Sequence, residues 1–392
     1  MPKFIITLLL ATYISSFSQI KEKVVEKLFL EDKGGSIDKL FFDKERKCIV
    51  YTKLEGNKNY LISSNGLKKE LQVNDIPIFF NGSNLLTIQI FPNDWKQYCS
   101  KYNVSALTLK LSNKVELPFP GVPTISNDRI ALSTAYEGTG STIFYYDTNL
   151  KKIKEYTPFS NNYESDQIKF NNSNLFILFN LLDSDFELHR LSLKTGNLEK
   201  KVKIKSNGFR GSGFSIVDTN VYVKLYQGTT SKIISYSKNL KFLWSKEFLN
   251  TNLMVAGGLS LNIFENKDKQ LMVMAFDGLL CLNPTNGEVI WKKSIEEIVG
   301  LPNKSSLTFY VSHFQVSVKN NLFFLITEIV ENNKTGKYLL SIINKNGEVI
   351  YENYIHEEVS WRKNIDFFQY EFDGIVYLKI NKTHIYEYKI NP

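Results

Sequence analysis

Histidine and cysteine, two residue types that often perform catalysis or bind metals, are scarce in this chain of 392 residues. They are the four histidines and three cysteines His189, His313, His356, His384, Cys48, Cys99 and Cys281. No His-x-x-x-His or Cys-x-x-Cys spacing occurs among them, although protein metal sites need several such ligands close together. The sequence therefore predicts no metal site, no bound cofactor and no disulfide framework.

Three short segments share features with catalytic motifs but lack their essential residues. Gly211-Ser212-Gly213 lacks the flanking pattern of a nucleophile elbow. Residues 138–141 are rich in Gly, Thr and Ser but precede no lysine, which a phosphate-binding loop requires. Glu357 and Glu358 are adjacent in a loop and are expected to point apart into solvent. We predict no catalytic residue, and an enzyme stays open because active sites can be assembled from distant segments.

Aromatic and arginine side chains concentrate in three of the longer predicted loops. Such side chains dominate the energetics of recognition surfaces. The residues are Trp95, Tyr98, Phe209, Arg210, Trp361 and Arg362. We predict that they form a shared binding rim for a protein, peptide or glycan. In the alternative, these side chains fold back onto the domain.

Short strands separated by tight turns must position these loops. Helical periodicity is nearly absent, and runs of β-branched and aromatic residues alternate with Asn, Gly and Asp. In the clearest stretch, residues 271–276 and 279–282 flank an Asp-Gly turn, and a second turn at residues 284–287 leads to Glu288-Val289-Ile290-Trp291. The chain is therefore predicted to be all-β.

The second of these hairpins recurs along the chain as imperfect sequence repeats. Its turn, Asn286-Gly287, is repeated at Asn346-Gly347 and, less completely, at earlier positions. The turn centres lie near residues 66, 114, 150, 196, 240, 287 and 347. Most intervals are in the forties, which is typical of a β-propeller with four antiparallel strands in each blade.

The two ends of the chain decide the predicted number of blades. Three strands fit between Asp366 and Ile390, one short of a blade, and the strand Val24–Leu30 precedes the first repeat. If this N-terminal strand closes the last blade, the propeller has eight blades and no bare strand edge. Seven blades are the alternative, because the turns at Asn113 and Asn149 are only 36 residues apart.

Residues 1–18 have the features of a secretory signal peptide. Lys3 precedes an apolar segment, residues 4–14, which is followed by Ser15-Ser16-Phe17-Ser18. The apolar segment is too short to span a bilayer. We therefore predict an exported, periplasmic or extracellular protein whose residues 19–392 form a single monomeric propeller domain. The net charge of +8 is spread along the chain, which favours no nucleic-acid partner.

The segment from Cys281 to Trp291 resembles the repeat of quinoprotein-type propellers, with Asn286, Gly287 and Trp291 as its structural motif and Asn346-Gly347 as a second copy. The enzymes of that family hold a quinone with calcium and an adjacent-cysteine disulfide. No two cysteines are adjacent here, so the resemblance implies a non-enzymatic branch. An export-pathway propeller that assists outer-membrane β-barrel assembly is similar in blade number and size.

Together these features predict an exported, non-catalytic binding or scaffold module for a protein, peptide or glycan. One alternative is an enzyme, either quinone-dependent and dehydrogenase-like or active on glycans. The other is an accessory factor in envelope assembly.

Overall fold

The structure is a computed structural model that describes most of the chain in segments. The described residues are 24–31, 36–43, 48–55, 58–64, 66, 68–72, 74–94, 96–104, 109–118, 122–126, 129–136, 140–147, 149–158, 163–171, 173–181, 185–228, 230–248, 263–265, 268–275, 278–300, 307–317, 321–331, 334–355, 365–366, 375–380 and 384–390.

Within these segments, 32 strands form eight four-stranded antiparallel sheets, which we call blades. Blade 1 contains β2 (Ser36–Asp43), β3 (Cys48–Glu55), β4 (Lys58–Ser63) and β5 (Lys68–Glu70), and blade 2 contains β6 (Ile76–Phe80), β7 (Asn84–Phe91), β8 (Lys96–Val104) and β9 (Leu109–Leu117). Blade 3 contains β10 (Val122–Ser126), β11 (Arg129–Tyr136), β12 (Gly140–Tyr146) and β13 (Lys152–Tyr156), and blade 4 contains β14 (Tyr163–Phe170), β15 (Asn174–Leu181), β16 (Phe186–Ser192) and β17 (Leu198–Ile204).

The remaining blades follow the same order of strands. Blade 5 contains β18 (Arg210–Val217), β19 (Asn220–Gln227), β20 (Thr230–Ser237) and β21 (Phe242–Phe248), and blade 6 contains β22 (Ile263–Glu265), β23 (Leu271–Ala275), β24 (Gly278–Leu282) and β25 (Val289–Ser294). Blade 7 contains β26 (Leu307–Ser317), β27 (Leu322–Glu331), β28 (Lys334–Asn344) and β29 (Val349–Ile355), and blade 8 contains β30 (Ile365–Asp366), β31 (Ile375–Ile380), β32 (His384–Ile390) and β1 (Val24–Glu31). Helix α1 (Ile295–Val299) follows β25, and a 3-10 turn spans Pro92–Asp94.

The N-terminal strand β1 is paired with β32 near the other end of the chain. The antiparallel register runs from Val24 opposite Ile390 to Glu31 opposite His384, with a bulge between Leu28 and Leu30. The sequence predicts this pairing because the C-terminal segment supplies one strand too few for a blade. The pairing leaves β1, and not β32, at the outer edge of blade 8.

The position of a strand within its blade determines its composition. In β15, the second strand of blade 4, residues 175–179 are all buried, and the sequence is a continuous apolar run. In β17, the fourth strand, most residues are exposed and three lysines occur within four positions. Charged residues on an edge strand oppose pairing with another molecule.

The chain divides into two compact units, which are described separately. The first unit holds blades 1 to 5 together with the turn Thr285–Gly287, and the second holds β1 and the chain from Phe264 onward, apart from that turn.

The apolar core lies between neighbouring blades within each unit. In the first unit, clusters join blade 2 to 3, 3 to 4 and 4 to 5, and in the second unit a cluster joins blade 7 to 8. Fully buried members include Leu86, Leu132, Ile177, Phe179, Phe176, Phe214, Phe324 and Ile342. Burial of aromatic and aliphatic side chains at these contacts is the main favourable contribution to packing one blade on the next.

The glycine turns of the repeat also contact the preceding blade. Gly287 has φ of +72°, and a Cβ there would lie 2.6 Å from the ring of Trp244 on blade 5. Gly347 has φ of +81°, and a Cβ there would lie 3.2 Å from the ring of Trp291 on blade 6. At Gly196 the neighbour is the side chain of Lys154 instead of a tryptophan. A side chain in the turn would therefore be strained by its backbone and would collide with the preceding blade.

Candidate functional site

The six residues of the predicted binding rim fall into different environments. Trp95, Trp361 and Arg362 lie outside the described residues. Tyr98, on β8 of blade 2, is half-buried, with its ring edge-on to Phe91 at 5.9 Å. Arg210, which opens β18 of blade 5, is exposed. The role of these residues in binding stays a prediction.

At Phe209 the structure matches the alternative, in which the side chain folds back onto the domain. Its side chain is 8% exposed and belongs to the apolar cluster between blades 4 and 5. The chain reverses just before it: Gly208 has φ of +85°, and the Phe209 N–H donates to the Ser206 carbonyl at 3.0 Å. This turn directs the Phe209 side chain into the apolar cluster and not toward solvent.

A chain of hydrogen bonds connects Tyr156 on β13, His189 on β16 and Glu187 on the same strand. The Tyr156 hydroxyl lies 2.8 Å from His189 Nδ1, and His189 Nε2 lies 2.8 Å from Glu187 Oε2. Because an ionised carboxylate only accepts, Nε2 carries the proton and Nδ1 accepts from Tyr156. Lys201 Nζ, 3.2 Å from Glu187 Oε2, completes the group.

Electrostatics holds the His189 ring neutral. Burial lowers the pKa of His189 and outweighs the opposing effect of Glu187. For Glu187 the pKa is also lowered, because hydrogen bonds from His189 and Lys201 outweigh the effect of burial. Such a group could move a proton. However, His189 is only 2% exposed. The crevice beside Tyr156, lined in part by Ile143 and Leu191, has no room even for a water molecule. The arrangement therefore ties blade 3 to blade 4 and offers no space for a substrate.

Two further polar groups are buried in the first unit. Asp75 accepts from the hydroxyls of Thr87 at 2.9 Å and Tyr102 at 2.6 Å, and it is fully buried. Burial, together with this carboxylate, raises the pKa of Tyr102. Burial also lowers the pKa of Lys224 to about 7. A lysine with that pKa is a potential nucleophile, but Lys224 is only 1% exposed, so a substrate in solution does not reach it.

An open groove occurs in the second unit, between the outer strands of blades 6 and 7. Its volume is about 280 Å³. One wall comes from the end of β25 and from helix α1, and the other comes from the turn and first residues of β29. The lining residues are Lys293, Glu297, Ile298, Gly300, Gly347, Glu348, Val349, Ile350, Tyr351 and Glu352. The groove thus combines aliphatic and aromatic surface with three carboxylates and one ammonium group.

Local sequence fixes the wall formed by helix α1. Ser294 and Glu297 form a capping box: the Ser294 N–H donates to Glu297 Oε2 at 2.7 Å, and the Glu297 N–H donates to Ser294 Oγ at 3.2 Å. Gly300 ends the helix with φ of +64°. The two caps keep this short helix in place and direct the buried face, including Ile298, toward the blades.

The opposite wall depends on the glycine turn of blade 7. Asn344 Oδ1 accepts from the N–H groups of Asn346 and Glu348, and Asn344 Nδ2 donates to Glu348 Oε2 at 2.7 Å. Trp291 covers Gly347 and donates from Nε1 to the Lys345 carbonyl at 3.1 Å. The repeat motif therefore builds one end of the groove. Sequence reasoning identified the motif residues but not the groove, because the space depends on how two blades face each other.

Neither a metal centre nor a membrane span is found in the described part of the chain. No three His, Cys, Asp or Glu side chains there are grouped closely enough to hold a metal ion. Among the same residues, no helix has both the length and the apolar character needed to cross a membrane. The three cysteines are buried and form no disulfide with one another, and burial raises the pKa of Cys281 to about 11.

Comparisons with known proteins identify the fold. No family model matches the chain, and no curated protein matches it. Among solved structures, the Dos1 propeller matches with a TM-score of 0.57 and 9% identity, covering 93% of this chain and 95% of that chain. The WD40 domain of SCAP from fission yeast matches with a TM-score of 0.50 and 7% identity, covering 94% and 95%. A streptogramin B lyase structure has a TM-score of 0.47 and 13% identity, with 94% and 98% covered. At these identities the likeness concerns the fold alone, and this chain is an all-β β-propeller with four-stranded antiparallel blades.

Proposed function

We propose that this protein is a non-catalytic binding module that takes a segment of a partner protein into the groove between blades 6 and 7. The observation that carries the proposal is the groove itself, an open space of about 280 Å³ with apolar and charged walls. Concave sites that combine apolar surface with a few polar groups are the usual places for ligands.

The accessibility of the reactive side chains supports a binding role over a catalytic one. His189 and Lys224, whose surroundings lower their pKa, are almost fully buried in the first unit. The side chains of the groove, in contrast, are carboxylates, aliphatic groups, a tyrosine and a lysine that surround an open space. A partner segment could therefore reach them, whereas a substrate could not reach His189 or Lys224.

We further propose that residues 1–18 direct export and that all eight sheets are blades of one propeller, with seven blades as the alternative. The number of sheets and the pairing of β1 with β32 support eight. The contacts of Trp244 with Gly287 and of Trp291 with Gly347 support a quinoprotein-type repeat.

Two equivalent valines allow a matched test of the binding role. Val349 lines the groove, whereas Val289, at the same position of the repeat in blade 6, is 43% exposed and does not line it. Peptides would be selected from a random library on the mature protein and then measured against Val349→Trp and Val289→Trp. We expect the selected peptides to lose most of their affinity for Val349→Trp and to keep it for Val289→Trp.

Selected peptides that bind both tryptophan variants equally would contradict the proposal. Thermal unfolding of the two variants controls for damage to the fold, because only a folded Val349→Trp protein tests the groove. A quinone or calcium ion that copurifies with the wild-type protein in stoichiometric amount would favour the enzymatic alternative.

A further inference from the structure

We infer that the groove selects a cationic side chain, arginine or lysine, carried by an otherwise apolar segment of the partner polypeptide. This inference rests on the proposed function and names the chemistry of the ligand. The groove's charge, its apolar surface and its size each support it.

The charge of the groove is negative. Glu297, Glu348 and Glu352 contribute three carboxylates, and Lys293 contributes one ammonium group. Glu297 accepts from the Ser294 N–H and Glu348 accepts from Asn344 Nδ2, and each bond uses Oε2. Those donors are neutral, so within the described segments neither carboxylate has its charge balanced by an ion pair. A cationic ligand would supply this balance, and a charged donor gives stronger hydrogen bonds to carboxylates than a neutral one.

The apolar surface of the groove favours a ligand with a hydrocarbon portion. Val349, Ile350 and Tyr351 are half-buried and are among the residues that line the open space. Arginine and lysine bury their methylene groups along apolar surface while the charged end stays near polar partners. Tyr351 also packs edge-on against Tyr388 of blade 8 at 6.1 Å, which anchors this part of β29 at the contact between blades 7 and 8.

The size of the groove suits one or two side chains of a peptide. Pockets that enclose whole small-molecule ligands are typically about 300–1,000 Å³, and this groove has about 280 Å³. Because β29 is the outermost strand of its sheet, the groove runs beside a strand edge, where an extended polypeptide can lie. One or two side chains of such a segment would fill the space.

The test compares two peptides that differ in one charge. The first is a blocked pentapeptide with arginine between apolar residues, and the second has citrulline, a neutral isostere, in place of arginine. Trp291 serves as the reporter because its ring lies on Gly347 at the end of the groove. The mature protein would carry 5-fluorotryptophan, and the ¹⁹F resonance of Trp291 would be assigned from its absence in Trp291→Phe.

We expect the arginine peptide to bind about two- to fivefold more tightly than the citrulline peptide, which is the range for an exposed ion pair. Added salt should reduce this difference. The Glu348→Gln/Glu352→Gln double variant should remove it, because glutamine keeps the shape and the acceptor but not the charge. Glu116→Gln, an exposed residue on the outer strand β9 of blade 2, is the matched control and should retain the difference.

Two results would overturn the inference in distinguishable ways. If both peptides shift the Trp291 resonance with equal affinity, the cationic preference is wrong while the binding groove stands. If neither peptide shifts it at concentrations up to about 1 mM, a Kd range corresponding to roughly 4 kcal/mol of binding free energy, the groove is not a peptide site and the proposed function fails as well.

Discussion

The indole ring of Trp244 occupies the space that a side chain at Gly287 would need. A Cβ at position 287 would lie 2.6 Å from Cζ3 of that ring, well inside van der Waals contact. The two residues belong to consecutive blades, the tryptophan to the outer strand of blade 5 and the glycine to a turn of blade 6. Trp291 and Gly347 repeat this relationship one blade later.

We predict that Gly287→Ala destabilises the protein more than Gly228→Ala does. Both glycines have positive φ, but a Cβ at Gly228 would meet no atom within 4 Å. Gly228→Ala should therefore cost about 1–2 kcal/mol, the penalty for the left-handed backbone alone. Gly287→Ala should add roughly 1–3 kcal/mol for overpacking against the indole. Urea unfolding of both variants measures the difference, and equal losses would contradict a packing role for Trp244.

The repeat was predictable because its turns have local chemical requirements. Gly196, Gly287 and Gly347 all adopt positive φ, which favours glycine in any context. The partner of each turn was not predictable in the same way. Gly196 faces the side chain of Lys154, whereas Gly287 faces the ring of Trp244. The methylene groups of a lysine can fill the contact between two blades as well as an aromatic ring can.

We predict that the free energy of unfolding decreases as the pH falls below about 6.5, the unperturbed pKa of histidine. Because burial lowers the pKa of His189 in the folded protein, the unfolded chain binds the proton more readily in this window. The loss is up to about 1.4 kcal/mol for each unit by which the pKa is lowered. The lowered pKa of Glu187 acts in the same direction at pH values below 4.5, the ordinary pKa of a glutamate.

Two variants separate His189 from other titrating groups. His189→Gln should reduce the slope of stability against pH between about 5 and 6.5. Tyr156→Phe, which removes the hydroxyl 2.8 Å from Nδ1 but leaves the half-buried ring, should retain most of the slope. A His189→Gln protein with the full wild-type slope would show that the histidine does not govern acid sensitivity in this window.

The pairing of β1 with β32 predicts that the N-terminal strand can be supplied in trans. A protein lacking residues 1–31 would expose the edge of β32, with its unpaired backbone groups. We expect it to unfold at a lower temperature than the wild-type protein and to regain stability when a peptide of residues 24–31 is added. A scrambled peptide of the same composition is the control. A truncated protein as stable as the wild type would contradict the pairing.

The candidate site was less accessible to sequence reasoning than the fold. The sequence left two directions open for the Phe209 side chain, because an aromatic residue is suited to a core or to a surface and its direction depends on one turn at Gly208. The groove was missed because Lys293 and Glu352 are ordinary charged residues on edge strands. Lys293 and Glu352 line the same groove only because of the distance between blades 6 and 7, which the sequence does not indicate.

A crystal structure of the mature protein with the arginine pentapeptide tests the central claim most directly. The account predicts that the peptide lies beside β29 with its guanidinium group in contact with Glu348 or Glu352. A peptide bound elsewhere, for example beside Tyr98 or Arg210, with the groove between blades 6 and 7 empty, would contradict the assignment of this groove as the binding site.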